Sequence, residues 1–415
     1  MKKTFSIISL GCPRNLVDSG YISSEFKAKG YAFKDKTKDI DTLIVNTCAF
    51  IEDAKRESID VILKAIDAKK AGDVKKVVIA GCLSQRYPAE LKREFREIDE
   101  FRGVLDFKSR WAKDSAKLTP RHYAYLKISE GCRNRCSYCI IPYLKGPYKS
   151  REFDSVVTEA RRLVTGGAKE IVLVGQDTSL YGIDLYARKK LADLLRELDG
   201  IFSGIWIRLL YCHPANIGDD VIKVIRDSRN ICKYIDLPVE HISGRILKKM
   251  GRKNKKEEIV SLIRRIRQEI PNVAIRSSLI VGFPGETEGD FQELLSFMRN
   301  AKFERLGVFR YSREEGTPAY SFKGHVSEKE KERRFDEAMK LQQDISAKIN
   351  EKLKGRMLKV LIEGREKGYY TGRTEYDAPE VDGLIYIKGK RLKIGDFCNV
   401  KVTGAREYDL EGKIT

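Results

Sequence analysis

At 415 residues the chain is too long for one ordinary core and suggests about three domains. Hydrophobic residues make up 42% and aromatics 9%, enough for packed cores, so a disordered chain is excluded. With 80 Lys and Arg against 60 Asp and Glu the formal charge is +20, which favours RNA, ribosomes or anionic membranes as partners, although a solvated basic surface accounts for it equally well.

No run of ~18 apolar residues exists, so no membrane span is expected. The first twelve residues imitate a lipoprotein signal, but their apolar stretch, 5–10, is shorter than the ~7–15 residues such a signal needs. It reads instead as a first strand, and a cytoplasmic location is expected. Nine cysteines are present: Cys12, Cys48, Cys82, Cys132, Cys136, Cys139, Cys212, Cys232 and Cys398. In a large cytoplasmic chain they point to metal or redox chemistry before disulfides, and an odd number opposes complete pairing.

Region 1–115 alternates strands (4–10, 42–47, 76–80) with helices (16–29, 53–68), the pattern of a parallel sheet covered on both faces by helices. Ligands of such sheets bind beyond the carboxyl ends of the strands. Cys12, Cys48 and Cys82 each follow one of these strands, which sets three thiols along one sheet edge. A single such cysteine reads as buried and inert; three in register point to a shared task.

The region 120–345 alternates again, with strands expected over 125–129, 171–174, 206–211, 234–237, 273–281 and 306–311. Helices are expected over 155–165, 190–198, 219–227, 255–269 and 288–300. Six βα units suit a barrel or partial barrel, whose chemistry gathers at the C-terminal ends of the strands. The charge-dense stretch 327–354 reads as a connecting helix. Beyond it, 350–415 loses the helical period and reads as short strands (358–363, 383–387, 399–403) of a small antiparallel β-barrel.

The most specific signal is Glu130-Gly-Cys132-Arg-Asn-Arg-Cys136-Ser-Tyr138-Cys139. Three thiolates in a CxxxCxxC pattern after a strand can hold an iron–sulfur cube and leave one iron open, because Ile140, Ile141 and Pro142 supply no fourth ligand. Structural zinc and an electron-transfer cluster both want four ligands. Cys212, Cys232 and Cys398 have no ligand spacing and read as packing residues, and His213 and His241 as structural ones.

This CxxxCx(aromatic)C loop resembles that of the radical-SAM superfamily, whose partial (β/α)6 barrel agrees with the strand tally. The resemblance implies a 4Fe-4S cluster on Cys132, Cys136 and Cys139, with its open iron chelating S-adenosylmethionine (SAM). It places Tyr138 against the adenine and Gln176, with Asp177, near the methionine moiety. The segment Ser278-Leu-Ile280-Val-Gly282-Phe-Pro-Gly285-Glu286 resembles the adenine-binding strand and turn, which implies cofactor contacts at Ser278, Ile280, Gly282 and Glu286. Small residues there would let backbone amides approach a flat base.

Three strand-end cysteines, this barrel and a small C-terminal β-domain resemble, in that order, the methylthiotransferases over essentially the whole chain. The resemblance implies a second 4Fe-4S cluster on Cys12, Cys48 and Cys82, two SAM molecules per turnover, and an OB-like TRAM domain that docks the substrate. The expected fold is therefore α/β, with a three-layer parallel-sheet domain (1–115), a radical-SAM barrel (120–345) and a TRAM barrel (350–415). An electron donor such as flavodoxin or ferredoxin is implied as partner, and ribosome or RNA contact accords with the charge. Leu10-Gly-Cys12-Pro-Arg-Asn15-Leu-Val-Asp18-Ser19 and Arg373-Thr-Glu-Tyr-Asp377-Ala-Pro-Glu380-Val-Asp382-Gly383 resemble the branch that modifies an aspartate, at its β-carbon, in the twelfth protein of the small ribosomal subunit. Asp377, Glu380 and Asp382 would form an acidic strip suited to docking a basic ribosomal protein. Gly20, where that family commonly has Glu, and Glu240, where Gln is expected before His241, depart from its pattern. The alternatives are the branch that modifies a tRNA adenosine, and a non-catalytic RNA-binding or redox-sensing iron–sulfur protein.

Overall fold

The structure, a computed structural model, describes residues 2–104 and 115–414; residues 105–114 of the expected first domain lie outside it. The chain gathers into two compact units. The first comprises 1–119 together with 130–151 and 312–320, and the second 120–129, 152–311 and 321–415.

The first unit is built on a five-stranded parallel sheet of β1 (Thr4–Ser9), β2 (Ala32–Phe33), β3 (Ile40–Thr47), β4 (Val74–Gly81) and β5 (Glu100–Phe101), in the order β2-β1-β3-β4-β5. Its central strands are near-continuous apolar runs because both faces are covered. Ile44, Val78 and Ala80 pack with Phe5 and Ile22 on one face, and Leu43, Val45, Val77 and Ile79 pack with Ile62 and Ile66 on the other. The helices α1 (Pro13–Ala28), α2 (Glu52–Lys70) and α3 (Cys82–Arg86) follow β1, β3 and β4. The edge strands β2 and β5, two residues each, are too short to leave a period in the sequence. The helix α4 (Ile141–Lys145), just beyond the cysteine loop, buries Ile140 and Leu144 among Leu10, Ala49, Cys82 and Leu83. That packing is why the loop belongs to the sheet's unit.

The second unit contains six parallel strands in two three-stranded halves. One half is β6 (Tyr123–Lys127), β7 (Glu170–Val174) and β8 (Trp206–Leu209), and the other is β9 (Tyr234–Asp236), β10 (Ala274–Val281) and β11 (Arg305–Arg310). The halves meet where the Cys212 amide donates to the Asp236 carbonyl at 2.9 Å and the Tyr211 amide to Asp236 Oδ2 at 2.9 Å. Five helices, α5 (Phe153–Thr165), α6 (Leu191–Ile201), α7 (Asp219–Asp227), α8 (Lys256–Glu269) and α9 (Glu288–Ala301), bury Leu and Ile stripes against the strands. The connecting helix α10 (Glu328–Glu351) carries buried Ala338 and Ile345 in the same core. Cys212 and Cys232 are fully buried there.

The C-terminal strands β12 (Met357–Glu366), β13 (Tyr369–Thr374), β14 (Ile385–Lys388), β15 (Phe397–Ala405) and β16 (Leu410–Ile414) close into a barrel in the order β12-β13-β14-β16-β15. One pair, β14 with β16, is parallel, so the barrel is not purely antiparallel as the sequence suggests. Leu358, Val360, Ile362, Ile385, Ile387, Val400 and Val402 fill it. No described helix is long and apolar enough to cross a membrane.

Candidate active site

In the first unit β1, β3 and β4 are adjacent and parallel, so Cys12, Cys48 and Cys82 leave the sheet at one edge. Cys12 is the N-cap of α1, with Pro13 in its first turn. Gly11 lies at φ +85°, and a Cβ there would stand 2.7 Å from Cys48 Cβ and 2.8 Å from its Sγ, so only glycine lets the first two thiols approach. Asn15 Nδ2 donates to the Leu10 carbonyl at 2.7 Å and the Asn46 carbonyl at 3.2 Å, tying the ends of β1 and β3. Asn46 Nδ2 donates to Ser19 Oγ at 2.8 Å, and Ser19 Oγ to Ser9 Oγ at 2.9 Å. Ser58 Oγ holds Cys48 through both its amide (3.0 Å) and its carbonyl (2.8 Å). Gly20 is required because Ala116 lies on α1 there: its carbonyl would be 2.3 Å from an added Cβ.

The thiols are electrostatically unequal. Burial opposes ionisation of Cys12, but the Arg14 guanidinium, donating from Nε to its Sγ at 3.4 Å, the Asn15 amide and the Lys145 charge together outweigh it and draw the thiol below its ordinary value. Burial, with Cys12 and Cys82 beside it, pushes Cys48 up to about 12. Burial also raises Cys82, against the opposing charge of Lys145. That lysine ends α4, and its Nζ donates to Asp18 Oδ2 at 2.9 Å, with both side chains 5% exposed. Nothing in the sequence marks Lys145 or Asp18 as a buried pair, because isolated charges on helices ordinarily face water.

The loop with Cys132, Cys136 and Cys139 belongs to the same unit, and all three thiols are half-buried. The Cys139 amide donates to the Cys136 carbonyl at 3.1 Å, which folds those two into one turn. Gly131, at φ +71°, passes so close to Pro147 that an added Cβ would lie 2.2 Å from its carbonyl. The 312–320 segment straps the loop through the Ala319 amide, which donates to the Ser137 carbonyl at 2.8 Å. Glu314 in turn takes buried ion pairs from Arg86 (2.6 Å) and Lys55 (3.0 Å) of the sheet domain. Among the described residues no three of His, Cys, Asp or Glu converge on a point as the ligands of a single ion would. An iron–sulfur cube takes one thiolate per iron, and two trios of cysteine match that donor chemistry.

In the second unit Gln176 and Asp177 follow the C-terminal end of β7. Asp177 is consumed locally: its carboxylate accepts from the Ser179 amide at 3.1 Å and from Asn216 Nδ2 at 2.7 Å. Burial alternates along β10: Leu279 and Val281 enter the helix-covered core, and Ser278 and Ile280 lie half-buried on the other face. Ser278 Oγ donates to Glu240 Oε1 at 3.3 Å, and the Glu240 amide to the Ser278 carbonyl at 2.8 Å. Glu240 adopts φ +71°, which costs a non-glycine residue of order 1–3 kcal/mol, and burial raises its carboxyl against the pull of Arg252. His213 and His241 are structural, each accepting at Nδ1 from the backbone two residues on, at 3.1 and 3.0 Å.

Gly282 and Glu286 serve the turn's own packing. A Cβ on Gly282 would meet Lys331 Cγ of α10 at 2.3 Å. Glu286 Oε2 accepts from the Phe283 amide at 3.1 Å, and its Oε1 from buried Arg334 Nη1 at 2.8 Å. The glycine thus gives the Lys331 side chain of α10 room against the turn.

The acidic residues of the expected docking strip have partners within the chain. Asp377 is ion-paired with Arg305 at the start of β11 and accepts from Thr374 Oγ1 at 2.6 Å. Glu380 accepts at Oε1 from Tyr123 (2.6 Å) and at Oε2 from Tyr125 (3.1 Å). Asp382 accepts from Tyr234 at 2.7 Å and lies 3.4 Å from Arg276. The strip faces the large barrel, whose strands present cations and hydroxyls to it, so Asp377 and Asp382 are not open to a substrate. Beside it Glu170, wholly buried, joins Arg208 (2.6 Å) to Arg373 (2.5 Å), and Arg373 reaches Glu363 at 2.7 Å.

Comparison with known proteins agrees with this architecture. Residues 126–298 match the Radical SAM superfamily, 4–103 an uncharacterized protein family, UPF0004, and 355–415 the TRAM domain. In fold the chain is similar to the radical SAM methyltransferase TsrM from Kitasatospora setae, with a TM-score of 0.55 at 15% identity over 92% of this chain and 82% of that one. It is also similar to the cobalamin-dependent radical enzyme OxsB, with a TM-score of 0.52 at 11% identity over 82% of this chain and 56% of that one. Fold and cysteine loop together define a radical-SAM enzyme, a class that works with a 4Fe-4S cluster and SAM.

The narrower assignment comes from full-length relatives. The chain is 46% identical to the ribosomal protein uS12 methylthiotransferase RimO of Pelotomaculum thermopropionicum, over 98% of both chains. It is 44% identical to the protein of that name from Clostridioides difficile (98% of this chain, 97% of that one) and 44% to that of Geobacter sulfurreducens (100% and 99%). The chain belongs to the RimO family of radical-SAM methylthiotransferases.

Proposed function

We propose that the chain inserts sulfur and a methyl group at an unactivated C–H carbon, the β-carbon of an aspartate in ribosomal protein uS12. The observation that carries the reading is the pair of cysteine trios in one unit, each without a fourth cysteine, within a chain alike over its full length to proteins named for this activity. Cys132, Cys136 and Cys139 would hold the cluster that binds SAM, and Cys12, Cys48 and Cys82 a second cluster that presents sulfur. When bound, the first cluster would supply one-electron chemistry to SAM and the second a sulfur atom for the substrate carbon.

The chain's own residues bind, orient and exclude water. Gln176, Ser278 and Ile280 are the cofactor contacts proposed in the second unit; the half-buried face of β10 supports Ser278 and Ile280. Gly11 and Asn15 set the spacing of the second trio. Asp377 and Asp382 of the acidic turn lend a protein substrate little support, since their carboxylates are buried and engaged within the chain. The choice of uS12 over a tRNA adenosine therefore rests on the relatives and on the motif around Cys12.

The test is mass spectrometry after anaerobic reconstitution with iron, sulfide, SAM and a reductant, with uS12 and tRNA both offered. A methylthio gain on uS12 alone is expected, on the aspartate side chain by fragmentation. A gain on tRNA alone would overturn the substrate assignment.

A further inference from the structure

We infer that Lys145, braced by Asp18, is the built-in counter-charge of the Cys12–Cys48–Cys82 site, whose ammonium lets that site accept an added electron. The inference rests on the two-cluster reading given above.

Four observations carry it. Lys145 ends a helix that is packed into the sheet domain on the same apolar cluster as Cys82, through Ile140 and Leu144. Its ammonium is 5% exposed and 2.9 Å from Asp18, so water does little to screen it. Asp18 is a buried residue of α1, the helix that Cys12 caps. Burial, which works against the charge of Lys145, is outweighed by the anions beside it, Asp18 first.

A buried ion pair is a poor device for stability, because desolvating both ions offsets most of their attraction. A cation kept beside three sulfur ligands has a second effect. When one electron enters a cluster there, the site's charge falls by one unit, and a nearby ammonium in a low-dielectric setting stabilises the reduced form. Arg14 supplies a second cation at Cys12, but it is half-exposed and more strongly screened.

The experiment uses the full chain carrying Cys132→Ala, Cys136→Ala and Cys139→Ala, so that only the second cluster is present, with its midpoint potential read by electron paramagnetic resonance during reductive titration. Lys145→Met is expected to shift the potential downward, and Lys145→Arg to return it toward the parent value. Lys145→Met leaves Asp18 buried and unpaired, so the double variant Lys145→Met/Asp18→Asn is measured as well. It removes both charges and should fold; because losing the Asp18 anion by itself raises the potential, its value should fall between those of Lys145→Met and the parent. A double variant with the parent potential would overturn the inference and leave the pair a structural one. A triple-cysteine variant that takes up no iron would overturn the two-cluster reading itself, and the inference with it.

Discussion

Arg305 donates from Nε to Asp377 Oδ1 at 2.8 Å, which fastens the turn after β13 to the first residue of β11. Both side chains are buried, at 7% and 4% exposure. With Arg373, Glu170 and Glu363 they form a clamp between the small and large barrels of the second unit. Residues that look like a recognition strip in the sequence are thus the fastening of one barrel to another.

Removing one partner of that clamp strands a buried charge. Asp377→Asn leaves Arg305 without its carboxylate, and Arg373→Met leaves Glu170 and Glu363 short of a cation. Each is expected to cost about 3–5 kcal/mol, read as a lowered denaturant midpoint. If the Asp377 carboxylate instead docked substrate, stability would hold and only the KM for uS12 would rise.

The two cysteine trios should separate by chemistry. Cys132→Ala is expected to abolish SAM cleavage, measured as 5′-deoxyadenosine. Cys12→Ala should still cleave SAM but leave the substrate without sulfur. Methylthio product from the Cys12 variant would contradict the sulfur-delivery role.

Gly11→Ala tests the spacing of the second trio. The added Cβ would sit 2.7–2.8 Å from Cys48 at a backbone φ of +85°, a strain of order 1–3 kcal/mol relieved by moving the thiol. Iron content after reconstitution should fall toward that of one cluster, with 5′-deoxyadenosine formation retained.

Acid should destabilise the iron-free chain from about pH 6.5 downward. Burial, aided by Arg252 and Lys253, lowers His213 to about 2, and burial, aided by Arg334 and Arg245, lowers His241 to about 3. Once unfolded, each takes a proton near pH 6.5, so in this window the unfolded chain binds more protons and stability drops as pH falls. The slope is about 1.4 kcal/mol per pH unit for each histidine. Glu286 acts oppositely: burial raises it to about 6 from 4.5, so between those values the folded chain holds the extra proton. Burial raises Glu240 in the same direction, so the acid sensitivity is shallower there. Urea midpoints at a series of pH values check this, and His241→Gln should flatten the profile.

By itself the sequence determined the repeating βα pattern, the placement of Cys12, Cys48 and Cys82 at one sheet edge and the CxxxCxxC loop. Those features are local: apolar runs of strand length, glycine at the turn, and spacing along the chain define them without reference to distant residues. The short edge strands β2 and β5 left no period to read. What only the tertiary structure decided is where charge is buried. Lys145 and Asp18, Glu170 and Arg373, and Asp377 and Arg305 lie far apart in the chain, and none is marked by the sequence as half of a buried pair. Burial becomes tolerable for each only once folding brings its partner within hydrogen-bonding reach, a condition set by packing rather than by any local pattern.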